Sequence, residues 1–361
     1  MAQQPLGRKR VFVASHSTVL NGPVDALQHF LVRNGWEVLR LDHPLDSYSG
    51  RTTRLLRNSQ VIRSWRRRWN GIIALAWDFS KTVVTAIAIR APLAVGANNF
   101  DSFAVLVARS VGRFRSRVIY FAADYSEDRF GGGILDLAYR TIERLVLRHA
   151  DLVVSNTRRA EAKRLSMGLS AEHSLVIPNG VRLESPLFMP KTIRRDRFVY
   201  VGSVTEEHGL YDLLLVLRPI IGSITIIGQG SDWDRVAALC LQAGLEHRLQ
   251  HNRPHEFVLD FLHDFDGFGL APYNLTSRWT YFCSPVKVVE YIASGVPVVT
   301  SSVPEIAEVV ARDRLGIVYD EVALEPIRSA LTEFDVGAFN VRARAFYDRY
   351  NTDSLLSQIP L

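Results

Sequence analysis

Cysteine is nearly absent from this chain: Cys240 and Cys283 are the only two in 361 residues. Two thiols so placed give neither a disulfide framework nor metal-site spacing, and cytoplasm is the expected compartment. Long apolar runs are also missing. The most apolar stretch, residues 71–89, carries Asp78, Ser80 and Lys81 at its centre. Charge at mid-bilayer is costly, and a span needs about 20 consecutive apolar residues. A buried helix is expected there, followed by a strand at Leu93-Ala94-Val95-Gly96. Arg8, Lys9 and Arg10 precede only about one strand of apolar residues, which does not make a secretory signal. No G-x-G-x-x-G follows the first strand, so a dinucleotide site is not supported. No nucleic-acid-binding motif accompanies the basic residues, and no nucleic-acid partner is expected.

What is present is globular in composition, with 47% hydrophobic and 22% charged residues. The length predicts two domains. Charge is divided unevenly: residues 1–190 hold 27 Lys and Arg against 15 Asp and Glu, whereas residues 191–361 hold 16 against 22. A basic first half points to an anionic partner.

Arg10–Ser15 reads as a buried strand, His16–Pro23 as a loop, Val24–Asn34 as a helix and Trp36–Leu41 as a second strand. This order implies a parallel sheet. Residues 51–69 place Arg51, Arg54, Arg57, Arg63, Arg66, Arg67 and Arg68 among Leu55, Leu56, Val61, Ile62, Trp65 and Trp69. Read at helical spacing, this segment suits an anionic membrane surface, where each cation contributes roughly 1 kcal/mol. It equally suits a solvated basic helix with a core-facing stripe. Further on, strand Val118–Ala122 runs into Asp124-Tyr125-Ser126-Glu127-Asp128-Arg129-Phe130 and three glycines. Open α/β sheets bind ligands beyond the carboxyl ends of their strands, so Asp124 and Asp128 are candidate catalytic carboxylates.

The densest pattern lies in Ser284-Pro285-Val286-Lys287-Val288-Val289-Glu290-Tyr291. Ser284 is expected to cap a helix whose first turn holds Pro285. Val286, Val289 and Ile292 recur at helical spacing, Gly295 ends the helix, and Pro297–Thr300 forms a strand. A helix start carrying Lys287 is an anion site, and Glu290, one turn on, suits a pair of sugar hydroxyls. Upstream, Phe198–Ser203 and Ser223–Gly230 are strands ending in glycine turns.

The run S-P-x-K-x-x-E-Y-x-A-x-G-x-P-V-V resembles the nucleotide-sugar signature of GT-B glycosyltransferases. The pairing of A-D-L-V-V-S-N at 150–156 with V-I-P-N-G-V at 176–181 is similar to their inter-domain passage. The loop from Asp124 to Phe130 resembles one in bacterial polysaccharide glycosyltransferases related to the xanthan glucuronosyltransferase. The resemblance implies an α/β fold of two Rossmann-like parallel-sheet domains facing across a cleft. An acceptor-binding domain is expected over 1–190, a nucleotide-sugar domain over 191–336, and a helix over 337–361 returning to the first.

It further implies that Lys287 contacts the donor diphosphate and Glu290 the ribose, with Gly202, Ser203, Gly228, Gly230, Tyr273, Ser284 and Pro285 around them. Many relatives carry Arg and Lys where Ser203 and His208 stand here, which puts more of the phosphate charge on Lys287. His16, in the first loop, is either near substrate or a polar loop residue without a role. Asp124 is the expected general base of an inverting, metal-independent transfer, with Asp128 the alternate. Retaining members often place a second carboxylate where this chain has Phe282. Asp264-x-Asp266 precedes a buried strand rather than following one, so no metal site and no cofactor are expected. The expected partners are a nucleotide-sugar donor, UDP-linked by family frequency, a lipid-linked glycan acceptor, and an anionic membrane met by Arg63, Trp65, Arg66, Arg67, Arg68 and Trp69. That places the chain peripherally on the inner face of the plasma membrane. A sugar-nucleotide 2-epimerase and a degenerate binding protein share the fold and remain alternatives.

Overall fold

The computed structural model describes residues 9–17, 22–44, 52–122, 124–127, 129, 131–183, 191–251, 253–276 and 278–361. They form two compact units, one running to Ile177 and including Leu356–Leu361, the other spanning Pro178–Leu355.

The first unit is built on strands β1 (Arg10–Ser17), β2 (Glu37–Pro44), β3 (Thr52–Arg57), β4 (Gln60–Arg66), β5 (Leu93–Gly96), β6 (Arg117–Ala122), β7 (Leu152–Ser155) and β8 (Ser174–Val176). Their order is β4-β3-β2-β1-β5-β6-β7-β8. Every pairing is parallel except β2–β3 and β3–β4. Val11, Phe12, Val13 and Ala14 are all buried, the continuous apolar run of a strand covered on both faces.

The segment expected to be a basic helix is instead the antiparallel hairpin β3–β4. Asn58 and Ser59 at its tip have φ of 48° and 73°, the conformation a two-residue hairpin turn requires. Val38 N–H bonds the Asn58 side chain at 2.9 Å. Thr52, Thr53, Val61 and Ile62 are β-branched, and this outweighs the helical reading of the arginines.

Helix Gly71–Ile89 follows as expected, but it is not buried as expected. Its inward face is Ala74, Asp78, Thr82, Thr85 and Ala86, while Ile72, Ile73, Leu75 and Val84 are exposed. It is the one helix, among the described residues, long and apolar enough to cross a membrane. Asp78 is nevertheless completely buried and ion-paired to Arg67 at 2.6 Å, which ties the helix to the sheet. Trp65 of β4 packs on this helix too, with Lys81 Nζ 3.8 Å from its ring centre.

The second unit holds β9 (Arg197–Ser203), β10 (Ser223–Gln229), β11 (Glu246–Gln250), β12 (Phe268–Ala271), β13 (Val298–Ser301) and β14 (Gly316–Tyr319). Their order is β11-β10-β9-β12-β13-β14, with all pairings parallel. Its core lies on both faces of the sheet, around Tyr291 and Ile292 on one side and Leu213, Leu214 and Leu217 on the other. Strand β11 and helix Ile306–Arg312 have no counterpart in the sequence reading.

The passage between units falls at Ile177, not at 190. Ile177 N–H still bonds the β7 carbonyl of Ser155, whereas Val181 N–H bonds Tyr350 O. The return is also shorter than expected. Helix Val336–Tyr350 buries Phe339, Ala343, Phe346 and Tyr347 in the core of the second unit, and Gly337 lies within it. Only Leu356–Leu361 rejoins the first unit, where Arg117 donates to the Pro360 carbonyl.

Arg164 is a fully buried cation of the first unit. It donates to Glu143 at 3.1 Å, Ser155 Oγ at 3.0 Å and the Asp124 carbonyl at 2.9 Å. Removing one member of a buried pair costs about 3–5 kcal/mol. Arg164→Ala is therefore expected to lower the urea midpoint of the transition that reports this unit, and Arg164→Met with Glu143→Leu to recover part of the loss. An unchanged midpoint in Arg164→Ala contradicts the assignment.

Candidate functional site

Helix Val286–Ala293 of the second unit starts at Pro285 with no side-chain cap. The sequence reading gave the cap to Ser284. Instead Ser284 Oγ accepts the Asn179 N–H at 3.0 Å, and its carbonyl accepts Asn179 Nδ2 at 2.7 Å. The P-N-G turn at 178–180 is thereby fastened to the helix start, whose first-turn N–H groups keep their affinity for an anion.

Lys287 stands in that first turn. Its Nζ is buried and has no hydrogen-bond partner. It lies 4.2 Å from the Tyr200 ring centre and 5.6 Å from that of Tyr273. Burial lowers its ammonium to about 7, although the charges of Cys283 and Glu290 act the other way. Gly202, next to last in β9, has φ of +124°, and a Cβ there would lie 3.1 Å from Lys287 Nζ. The positive φ calls for glycine, and a side chain there would crowd the ammonium. Gly228 and Gly230 answer to the neighbouring strand instead: a Cβ would fall 1.9 Å from Gly202 O and 2.1 Å from Val204 O respectively. Ser203 is exposed, and Tyr273 is buried. Burial together with the Lys287 charge drives His208 down to about 3, so it stays neutral and adds no charge to that of Lys287.

Glu290, one turn past Lys287, is buried and takes a 2.6 Å ion-pair contact from His255 Nε2. The Glu290 hydrogen bond raises the His255 value against its own burial. His255 opens helix His255–Asp264 and was missed in the sequence, where nothing local marks it. Tyr200 and Tyr291 were missed as well. Tyr291 OH accepts the Val201 N–H at 2.7 Å and so fixes the strand that leads to Gly202. Phe282 is buried against Tyr281, in place of a sugar-binding carboxylate. Asp266 is used by Arg197 and sits on the other end of its strand, so the D-x-D pair is structural.

In the first unit, Asp124 follows the carboxyl end of β6. Its side chain is exposed by area, yet the protein around it raises the carboxyl above the usual range, against the charges of Arg129 and Arg164. Asp128 lies outside the described residues. His16 belongs to β1 rather than to a loop. Its Nδ1 is 2.8 Å from Asp101 and its Nε2 is 3.4 Å from Asp78. Burial works to lower its value, but the Asp101 and Asp78 carboxylates carry it up to about 9. Arg67, expected on a membrane-facing surface, turns inward to Asp78, whereas Arg63, Arg66, Arg68 and Trp69 are exposed and Trp65 is half-buried.

Residues 195–333 match the family model described as glycosyl transferases group 1, and residues 16–180 match the glycosyl transferase 4-like domain. No curated protein matches the sequence. Among solved structures, the chain is similar to Anabaena HepE in complex with UDP-glucose, with 15% identity over 97% of this chain and 98% of that one, at a TM-score of 0.67. It is similar to sucrose-phosphate synthase from Thermosynechococcus elongatus, with 17% identity over 98% and 97% and a TM-score of 0.70. The glycosyltransferase WaaG, involved in lipopolysaccharide biosynthesis, gives 16% identity over 97% and 98% and a TM-score of 0.66. At such identities the likeness shows the fold.

An amine held near 7 in the fold and near 10.5 when unfolded disfavours folding while it is charged. That penalty is complete below about pH 7 and fades as pH rises toward 10.5. Lys287→Met is expected to raise the thermal midpoint at pH 6 and to flatten its rise between pH 7 and 10. An unaltered pH profile would mean that this amine is solvated.

Proposed function

The chain belongs to the GT-B fold glycosyltransferases, and on that premise we propose that it moves a sugar from a UDP-linked donor to a lipid-linked or membrane-proximal glycan in polysaccharide assembly. The observation that carries this reading is the unpartnered, buried Lys287 ammonium at an uncapped helix start. A buried cation without a counter-charge is unfavourable, and a diphosphate supplies what this one lacks. Together with the first-turn N–H groups, it stabilises the charge that develops on the leaving diphosphate. The Glu290 carboxylate takes the ribose hydroxyls, exchanging its His255 contact for them. UDP is supported by the UDP-glucose bound to HepE.

Transfer proceeds by direct displacement with inversion. The bond from the anomeric carbon to the diphosphate oxygen breaks as the bond to the acceptor oxygen forms. The acceptor proton passes to Asp124, whose raised carboxyl value makes it a better base at neutral pH. Phe282, where a sugar-binding carboxylate is common, fits this course. Metal assistance is not needed, because the ammonium and the helix start carry the leaving-group charge, and the donor is a substrate rather than a cofactor.

The acceptor class rests on the surface of the first unit. Val61, Ile62, Trp69, Ile72, Ile73 and Leu75 are exposed, with Arg63, Arg66 and Arg68 beside them in sequence. Apolar and basic side chains together fit an anionic bilayer surface. This supports a cytoplasmic protein held peripherally at the inner face of the plasma membrane.

Lys287→Ala is expected to weaken UDP binding by calorimetry, whereas Asp124→Asn should abolish transfer and leave UDP binding intact. Wild-type turnover in Asp124→Asn removes that residue from the chemistry. UDP release that depends on added acceptor separates a transferase from an epimerase. On anionic vesicles, Ile72→Asp with Ile73→Asp should reduce co-sedimentation, and binding equal to wild type would place the membrane contact elsewhere.

A further inference from the structure

The carboxyl ends of β1 and β2 and the middle of helix Gly71–Ile89 bring together His16, His43 and Asp78. We propose that His16 Nε2, His43 Nδ1 and Asp78 Oδ1 bind one divalent transition-metal ion of the zinc class, tying these three elements together. The site lies in the first unit and shares no residue with the donor site.

Two sets of distances separate the atoms of this cluster. The shortest contacts use the far atom of each side chain, while His43 Nδ1 also meets Thr53 Oγ1 at 3.2 Å. His16 Nδ1 meets Asp101 at 2.8 Å, His43 Nε2 meets Thr82 Oγ1 at 2.8 Å, and Asp78 Oδ2 takes Arg67 Nη1 at 2.6 Å. The near atoms are spaced differently. His43 Nδ1 stands 3.2 Å from Asp78 Oδ1, and His16 Nε2 stands 3.4 Å from Oδ2 of the same carboxylate. A charge-assisted N–H···O bond runs at about 2.7–2.9 Å. Two ligand atoms each about 2.1 Å from one ion are roughly 3.0–3.4 Å apart in octahedral or tetrahedral geometry. The 3.2 Å from His43 Nδ1 to Asp78 Oδ1 falls in the range of a coordination edge.

One ligand atom from each of His16, His43 and Asp78 lies within 4.8 Å of the other two. The atoms proposed as ligands are His16 Nε2, His43 Nδ1 and Asp78 Oδ1. Two of them, His16 Nε2 and Asp78 Oδ1, are buried without a hydrogen-bond partner, on side chains 7% and 0% exposed. The outer contacts are those a metal centre uses. A carboxylate on the distal nitrogen of one histidine and a hydroxyl on that of the other fix the ring orientations. Arg67 holds one carboxylate oxygen and leaves the other to the ion. Two imidazoles and one carboxylate favour zinc-class ions over magnesium or calcium. With neutral imidazoles, the Arg67 charge and two carboxylates leave the cluster one unit negative, which attracts a cation. The competing occupant is a proton on His16, which would make the cluster a metal-free ion network.

The test uses the full chain, stripped with a chelator and then titrated with Zn²⁺ by calorimetry and with Co²⁺ by visible absorption. One equivalent of Zn²⁺, a raised thermal midpoint and a Co²⁺ spectrum of low-symmetry nitrogen and oxygen ligation are expected. Asp101→Asn, which keeps side-chain shape but alters the outer contact on His16, should weaken Zn²⁺ by about 10–100-fold. His16→Ala should abolish the Co²⁺ spectrum, while His173→Ala, at an exposed position, should leave it unchanged. Because the Zn²⁺ and Co²⁺ readouts on the unmutated chain need no variant to fold, they decide the matter alone. Substoichiometric Zn²⁺ with no shift in midpoint overturns the site in favour of the protonated network, as does a Co²⁺ spectrum that persists in His16→Ala.

Discussion

The arrangement of the second unit turns on one uncompensated charge. Lys287 places an ammonium among Tyr200, Tyr273 and the Gly202 turn, where water is excluded and no acceptor meets it. Desolvation of that group is unfavourable, and the surrounding structure has to be rigid enough to hold it. Tyr291 fixes β9 from below through the Val201 N–H, the strand register leaves no room for a side chain at Gly228, and Asn179 ties the P-N-G turn to Ser284. A site that is strained without its ligand gains most when an anion arrives, which is the preorganisation that leaving-group stabilisation requires.

The first unit follows a different logic. Its most apolar helix turns small and polar side chains inward and leaves isoleucine and leucine outside. Val83, Ile87, Ile89 and Phe79 give the helix some apolar contact with the core. The buried contact from Asp78 to Arg67, with His16 and His43 alongside, adds to that hold. A buried ionic group of this kind specifies one docking of the helix where an apolar face would permit several. The apolar outer face is then free for a surface other than the protein's own core.

The GT-B reading and the ion cluster draw on separate halves of the chain. The nucleotide-side residues are close in sequence and lie on one short helix and one glycine turn. The cluster of the first unit gathers His16, His43, Asp78 and Asp101 from two strands and two helices. Only Asp124, at the end of β6, links the first unit to the proposed chemistry.

The alternating α/β order, most parallel strands and the Lys287–Glu290 helix were set by the sequence itself, because each depends on contacts within a few residues: helical spacing, buried β-branched runs, glycine at a turn. Tertiary structure decided what distant partners determine. The Arg-rich segment became a hairpin because β2 offered an edge to pair with, and Arg67 turned inward because Asp78 lies on the next helix. His255 found Glu290 across 35 residues, and Ser284 bonds Asn179 instead of capping its helix. Helix Val336–Tyr350 joined the second unit because its aromatic side chains fit that core. Local periodicity records which residues want burial; it does not record which partner will bury them.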